Sequence, residues 1–394
     1  MKRILYFMPY LSFENNAGNI TRVISLLKYF KQRNFKVDYY GIKDWYKWED
    51  GDDERMMKSG LIDRLFIAST KPSQRKFMQR LLYKVPEYFK RKLYGIDNEA
   101  LSNYSTWYVC QQFEKVLKEN EYDYIVVNYA WWAYLIRDKA LLKGARTIID
   151  THDLLTVNQY HSEKKGLGRT FEQEIKRMSL FDEVWAVSVD EYYIFSQFLE
   201  NTIRLVPNIS LSNIDSYTVA SDKKPKYDLV YVASDNHWNQ DSARWFFTEV
   251  YPLLPTDITM CVIGRITEYI KEGYPNVTKI RFIEDLGSAY ADSKISICPM
   301  LGGSGIKLKV IEAMSFGLPV VCTLRGIDGL PNKINNGCLV SLNAGEFASN
   351  IRKLLDNEAL YKEQSKQGYD LYKAYFNPSV RYKQLDEIFG VDIK

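Results

Sequence analysis

Short runs rich in β-branched and aromatic residues alternate along this chain with segments of helical spacing, the pattern of parallel sheets built from strand–helix–strand units. In the first half the predicted strands are Ile4–Phe7, Val37–Tyr40, Leu65–Ala68, Tyr124–Val127, Thr147–Ile149, Glu183–Ser188 and Ile203–Val206. In the second half they are Leu229–Val232, Thr259–Ile263, Lys279–Phe282, Ile295–Pro299, Val320–Cys322 and Cys338–Val340. Several are apolar without interruption, as strands covered by helices on both faces must be. After Gly18, the residues Ile20, Val23, Ile24, Leu27 and Phe30 keep to one helical face. The chain therefore opens as strand, glycine-containing loop and helix.

At 394 residues the chain exceeds the size at which one core usually divides. The strand–helix series restarts at Leu229 after a polar stretch, Ser210 to Lys226, so the junction is expected between Pro207 and Lys226. The predicted fold class is α/β, with two Rossmann-like domains facing a cleft: residues 1–207, then 208–377, with a last helix over 378–394 packing back on the first domain. Ligands of such domains sit at the carboxyl ends of the strands.

Charge narrows the partners. A net charge of +4 is too small to imply nucleic-acid binding. It is unevenly spread: from Lys71 to Lys92 eight Lys or Arg residues stand against Glu87, interleaved with Leu81, Tyr83, Val85, Tyr88 and Phe89. Residues 71–93 are thus expected to rest on anionic lipid as a peripheral membrane contact, to receive an anionic acceptor such as a lipid diphosphate, or to be a solvated basic face. The 30 Tyr and 8 Trp fit sugar stacking, membrane-interface contact or core packing. Five scattered cysteines without a C-x-x-C pair suit a reducing cytoplasm, on the inner side of any membrane the chain touches. The first apolar run is read as a strand and no segment reaches bilayer-spanning length. Asp50-Gly51-Asp52 imitates a D-x-D metal site, but no predicted strand leads into it, and His152, His161 and His237 make no metal-ligand spacing with cysteine. A metal-free site is expected. A serine-nucleophile elbow and a G-x-x-x-x-G-K-[ST] phosphate loop are both missing from the sequence.

The segment from Ile295 to Thr323 carries most of the chemistry. It reads as strand, glycine-rich loop, helix and strand, with the helix predicted over Ile306–Phe316 and Gly317 as its stop. Gly302, Gly303 and Gly305 let a ligand approach the main chain. The following helix N-terminus favours an anion, and Lys307 adds a charge there, so a diphosphate fits. On a plainer reading the glycines make a turn and Glu312 pairs with Lys309 along the helix.

The string Glu312-Ala313-Met314, followed by Gly317-Leu318-Pro319-Val320-Val321, resembles the donor-binding segment of retaining GT-B glycosyltransferases of family 4. Weaker similarities run in order along the chain: AGNITRVISLLKYF from Ala17, DTHDL around His152, VWAVSVDEY, YVASDNHWNQDSARWFF from Tyr231, VIGR from Val262 and FIEDLGSAYADSKISICP. The resemblance implies a GT-B enzyme that moves a sugar from a nucleotide-sugar donor, a UDP-sugar being slightly favoured, to a hydroxyl of a glycan, a lipid-linked or a protein-linked acceptor. Bacterial surface polysaccharide synthesis is the implied setting.

By the same resemblance Glu312 would hold the donor ribose, while Gly302, Gly303, Ser304, Gly305, Ile306 and Lys307 would hold the diphosphate. Gly18 would line the site from the other domain, His152 would position a sugar hydroxyl, and Asn19 and Asp153 would lie on the acceptor side. His152 read without the resemblance is a satisfied buried histidine. Two departures stand out. The family's first Glu falls at Ser304, and the loop after Tyr231 offers Asp235, Asn236 and His237 instead of an Arg–Lys pair, leaving Lys307 and Arg265 to compensate. Two other readings share the fold: a sugar-nucleotide epimerase or hydrolase, and a catalytically silent nucleotide-sugar-binding module.

Overall fold

The structure, a computed structural model, describes residues 1–10, 18–45, 48, 50–72, 83–89, 92, 99–164, 166–209, 225–303 and 305–391. The chain divides into two compact units, Met1–Val206 and Pro207–Lys394. Each is built on one parallel sheet.

The first unit contains β1 (Arg3–Phe7), β2 (Lys36–Ile42), β3 (Arg64–Ala68), β4 (Tyr124–Asn128), β5 (Arg146–Asp150), β6 (Glu183–Ala186) and β7 (Thr202–Leu205). Their spatial order is β3-β2-β1-β4-β5-β6-β7. Tyr6 lies beside Tyr39 on one side and Val126 on the other, which sets the register of the centre. Ile4, Leu5, Tyr6 and Phe7 are all buried, because helices cover both faces of the sheet. One of these is Gly18–Gln32, which turns Ile20, Val23, Leu27 and Phe30 inward as predicted, with Leu26 buried beside them and Ile24 only half-buried.

The second unit contains β8 (Tyr227–Val232), β9 (Met260–Ile263), β10 (Val277–Ile280), β11 (Ser293–Cys298), β12 (Val320–Thr323) and β13 (Cys338–Ser341), ordered β10-β9-β8-β11-β12-β13. Its core joins Val230, Val262, Ile297 and Val321 from the strands to Phe246, Met314, Phe347 and Tyr372 from the helices. The final helix, Pro378–Phe389, is capped by Asn377 and grouped with this unit.

Every strand predicted from the sequence is present, and the shifts at their ends have local causes. β6 stops at Ala186 because Ser188 caps the next helix, Val189–Phe198, its Oγ accepting the Glu191 amide at 3.2 Å. β10 starts and ends earlier than predicted, so Phe282 lies past the strand and is exposed. In both sheets the direction of winding reverses once, between β1 and β4 and between β8 and β11. In sheets of this kind the loops leaving such strand pairs diverge, and ligands bind at the carboxyl ends between them. Asp52, from the D-x-D look-alike, is fully buried in the helix Asp52–Lys58 and pairs with Arg55 at 3.3 Å. Among the described residues no helix is long and apolar enough to cross a membrane. Of the basic stretch, residues 73–82, 90, 91 and 93 lie outside the described residues.

Candidate functional site

At the switch point of the second sheet β11 runs into the glycine loop. Gly302 packs directly under Trp238: a Cβ there would lie 2.2 Å from the indole Cζ3. Gly303 and Gly305 adopt φ values of +85° and +74°, which side chains resist. The loop thereby turns the carbonyls of Gly303 and Gly305 onto Lys307 Nζ, at 3.2 and 2.7 Å. A trans peptide points its N–H opposite its C=O, so the Ile306 amide faces away from Lys307. Ser304 lies outside the described residues.

The helix after the loop spans Leu308–Ser315 and is shorter than predicted. Lys307 precedes it with extended backbone, and its carbonyl accepts the Val310 amide at 2.9 Å. The buried Lys307 ammonium therefore braces the loop from behind, where the sequence suggested a charge in the first helical turn.

Glu312 and Lys309 do not form the local pair considered above. Glu312 Oε2 accepts the Tyr290 hydroxyl at 3.2 Å, and Tyr290 stacks on Phe316 at 5.4 Å. Burial pushes the Glu312 carboxyl up to about 7, while the Tyr290 hydrogen bond and the Lys309 charge pull the other way. Lys309 Nζ instead donates to Asn239 Oδ1 at 3.0 Å and sits 5.4 Å over the Tyr231 ring. Burial holds its pKa below the usual lysine range. Asn239 is fixed in turn, its Nδ2 donating to Ser234 Oγ at 3.0 Å and its amide to the capping Asn236 Oδ1 at 2.9 Å. The sequence offers Lys309 only as a local partner of Glu312 and gives no signal for Asn239 as its acceptor.

Arg265 follows Gly264, whose φ of +108° lets its backbone press on Ala233: a Cβ would meet the Ala233 carbonyl at 2.2 Å. The loops after β8 and β9 are thus locked together. Arg265 Nη2 pairs across them with Asp235 Oδ1 at 3.1 Å, which offsets its charge. Among the described residues, Lys307 contacts the glycine loop and Lys309 stands on the helix that follows it.

The other predicted residues gather at the switch point of the first sheet. Gly18 starts its helix, and the next residue, Asn19, donates from Nδ2 to the hydroxyls of Tyr10 and Tyr129, at 2.8 and 2.9 Å. His152 follows β5 at φ +60° and stacks on Tyr129 at 4.4 Å. Asn128 Nδ2 donates to the Phe7 carbonyl at 2.6 Å, which turns Oδ1 toward His152 Nε2. An amide oxygen only accepts, so the network assigns the proton to Nε2 and leaves Nδ1 as an acceptor. Burial lowers the His152 pKa to about 4; Asp150 opposes the shift and the Arg22 charge adds to it. Arg22 Nε reaches both Asp150 oxygens, at 2.9 and 2.8 Å, and its Nη1 reaches the Val206 carbonyl at 2.8 Å. Asp153 lies near enough that its charge adds to burial in raising Glu191 to about 8.

Residues 226–357 match the model of the family described as glycosyl transferases group 1. Solved structures similar to the whole chain include sucrose-phosphate synthase from Thermosynechococcus elongatus, 15% identical, with TM-score 0.67 over 99% of this chain and 98% of that one. Anabaena HepE in complex with UDP-glucose is 14% identical, with TM-score 0.65 over 99% and 100%. A variant of S. aureus TarM in complex with fondaparinux, α-GlcNAc-glycerol and UDP is 13% identical, with TM-score 0.66 over 99% and 100%. No curated protein sequence matches. With two parallel-sheet α/β units in the GT-B fold and a glycosyl transferases group 1 domain over residues 226–357, the chain is a glycosyltransferase enzyme.

Proposed function

We propose that this enzyme transfers a sugar from a UDP-sugar to an acceptor hydroxyl with retention of anomeric configuration, and needs no metal to hold the donor. The observation that carries the reading is the glycine loop at the β8/β11 switch point, braced by Lys307 and followed by Lys309 and Glu312 on one short helix. In this reading the Ile306 amide and the helix N-terminus take the diphosphate, and Lys309 offsets its charge. Glu312, oriented by Tyr290, accepts from the ribose hydroxyls. UDP-glucose in HepE and UDP in TarM support the choice of donor.

The bond from the anomeric carbon to the diphosphate oxygen breaks as the bond to the acceptor oxygen forms on the same face. The acceptor proton passes to the departing phosphate oxygen. The protein's contribution is to position the reactants and stabilise the leaving charge. Neutral His152, with Nδ1 as an acceptor, is suited to orient a sugar hydroxyl.

Incubation with a panel of labelled nucleotide sugars tests the proposal. Slow hydrolysis of one UDP-sugar, and transfer with the donor's anomeric configuration seen by NMR, is the expected result. An isomerised donor would indicate an epimerase, and binding without turnover a silent module.

We further propose that the enzyme touches anionic membrane. In the helix over 83–89, Val85, Tyr88 and Phe89 are 50%, 59% and 65% exposed, with Lys92 5.9 Å over the Tyr88 ring. Apolar rings beside basic residues suit a lipid headgroup surface. Sedimentation with phosphatidylserine vesicles should be lost when Lys84 and Lys92 become Glu and Phe89 becomes Ser.

A further inference from the structure

Five aromatic rings form a continuous train along the carboxyl edge of the first sheet, drawn from segments far apart in sequence. His152 stacks on Tyr129 at 4.4 Å with an interplanar angle of 18°, and Tyr129 stacks on Trp131 at 5.0 Å and 22°. Trp131 meets Tyr104 edge-on at 5.8 Å, and Tyr104 meets Trp45 at 4.4 Å. The Tyr104 amide donates to the Trp131 carbonyl at 3.2 Å, tying two of the segments together.

Two features separate this train from ordinary core packing. Beneath it Trp132, packed on Phe7 at 5.2 Å, already closes the core and is fully buried, whereas Trp131, Tyr104 and Trp45 are only half-buried. The rings nearest the switch point also sit on costly backbone: Tyr129 at φ +67° and His152 at φ +60° are both left-handed without being glycine. Such conformations persist where the surroundings over-determine them, and they concentrate at ligand sites.

We infer that this train is a carbohydrate subsite on which a neutral sugar ring of the acceptor stacks, with Trp131 and Tyr104 supplying the faces. Flat half-exposed indole and phenol rings offer an apolar surface with polar rims, which complements the C–H face and hydroxyl edge of a pyranose. The polar groups beside the train are of the matching kind: the Tyr129 hydroxyl held by Asn19, and neutral His152. An anionic acceptor group would ask for a cation. The guanidinium groups set into this edge are committed, Arg22 to Asp150 and Val206, and Arg177 to Glu99 at 2.9 Å and the Ser102 carbonyl at 2.6 Å.

This inference rests on the transferase reading, and the test keeps the two apart. A panel of neutral oligosaccharides, with maltotriose, cellotriose and chitotriose as probes, is titrated into the full chain while tryptophan fluorescence is followed. UDP-glucose binding is measured on the same samples by calorimetry. At least one oligosaccharide should bind, Trp131→Leu should weaken it about tenfold, and Trp131→Phe should restore most of the affinity, because a ring face rather than apolar bulk is required. UDP-glucose affinity should not move in any variant. Trp45→Leu, at the far end of the train, serves as a second probe should Trp131→Leu fail to fold, with a smaller loss expected. Oligosaccharide affinity that is absent throughout, or equal in the Leu and Phe variants, overturns the subsite. Oligosaccharide binding without any nucleotide binding overturns the transferase reading and leaves the subsite standing.

Discussion

Lys309 and Asn239 join the two elements that flank the switch point of the second sheet, with Nζ 3.0 Å from Oδ1. The bond ties the helix after the glycine loop to the helix after β8, and holds an ammonium group at the strand ends where a diphosphate is proposed to sit. The same asparagine reaches Ser234, so one side chain couples both loops.

Asn239→Ala should therefore weaken UDP-glucose binding even though, in the proposed mode, Asn239 touches no ligand. Lys309, partly buried, loses its acceptor, and the expected cost in stability is about 1–3 kcal/mol. Isothermal calorimetry should give a loss of affinity smaller than that of Lys309→Ala. Equal affinity for Asn239→Ala and the parent would contradict the role assigned to the pair.

Glu312 makes both binding and stability depend on pH. Burial raises its carboxyl from the ordinary 4.5 to about 7, so the folded chain holds that proton more tightly than the unfolded one. Its contribution to stability is therefore complete below about 4.5 and lost as pH rises through about 7. Ribose binding runs the other way, because the ionised carboxylate is the better acceptor. UDP-glucose affinity should rise about tenfold between pH 6 and 8, tracking the ionised fraction. Glu312→Gln should flatten the binding profile and remove this group's part of the stability profile, leaving the part that comes from Glu191; a binding slope that persists in that variant would assign the titration elsewhere.

Gly302→Ala would drive a Cβ to 2.2 Å from the Trp238 ring. Overpacking of this kind costs about 1–3 kcal/mol, and the loop must shift to relieve it. Urea unfolding of Gly302→Ala, Trp238→Ala and the double variant forms a cycle. A favourable coupling is expected, because removing the indole makes room for the methyl.

Arg22 and Asp150 are both almost fully buried and bound to each other, with Arg22 Nε 2.8 Å from Oδ2. Arg22→Met leaves the carboxylate without its cation and should cost about 3–5 kcal/mol. It should also raise the His152 pKa, because the guanidinium helps to hold the imidazole neutral. In the parent, neutral His152 adds stability above about pH 6.5 that is lost as pH falls through about 4. NMR titration of the His152 ring in both proteins checks the direction.

The order of strands and helices was legible because each run of apolar residues is local. β1, β4 and β11 declare themselves by burial on both faces. Gly302 to Glu312 was legible for the same reason, since loop, cap and helix are consecutive and their spacing is visible in the chain. Sequence alone therefore determined two parallel-sheet units and a glycine loop leading into a helix at the end of a strand.

Which side chains meet at that loop was decided only by the tertiary structure. Lys309 chose Asn239, 70 residues away, over Glu312, three residues away, and Glu312 chose Tyr290. A buried ammonium or carboxyl settles on the partner that the packing brings within reach. Trp45, Tyr104, Trp131 and His152 likewise share nothing in local pattern. Trp45, Trp131 and His152 come together because the loops after β2, β4 and β5 all leave the same edge of a parallel sheet, and Tyr104, from the connection between β3 and β4, joins them through the hydrogen bond from its amide to the Trp131 carbonyl.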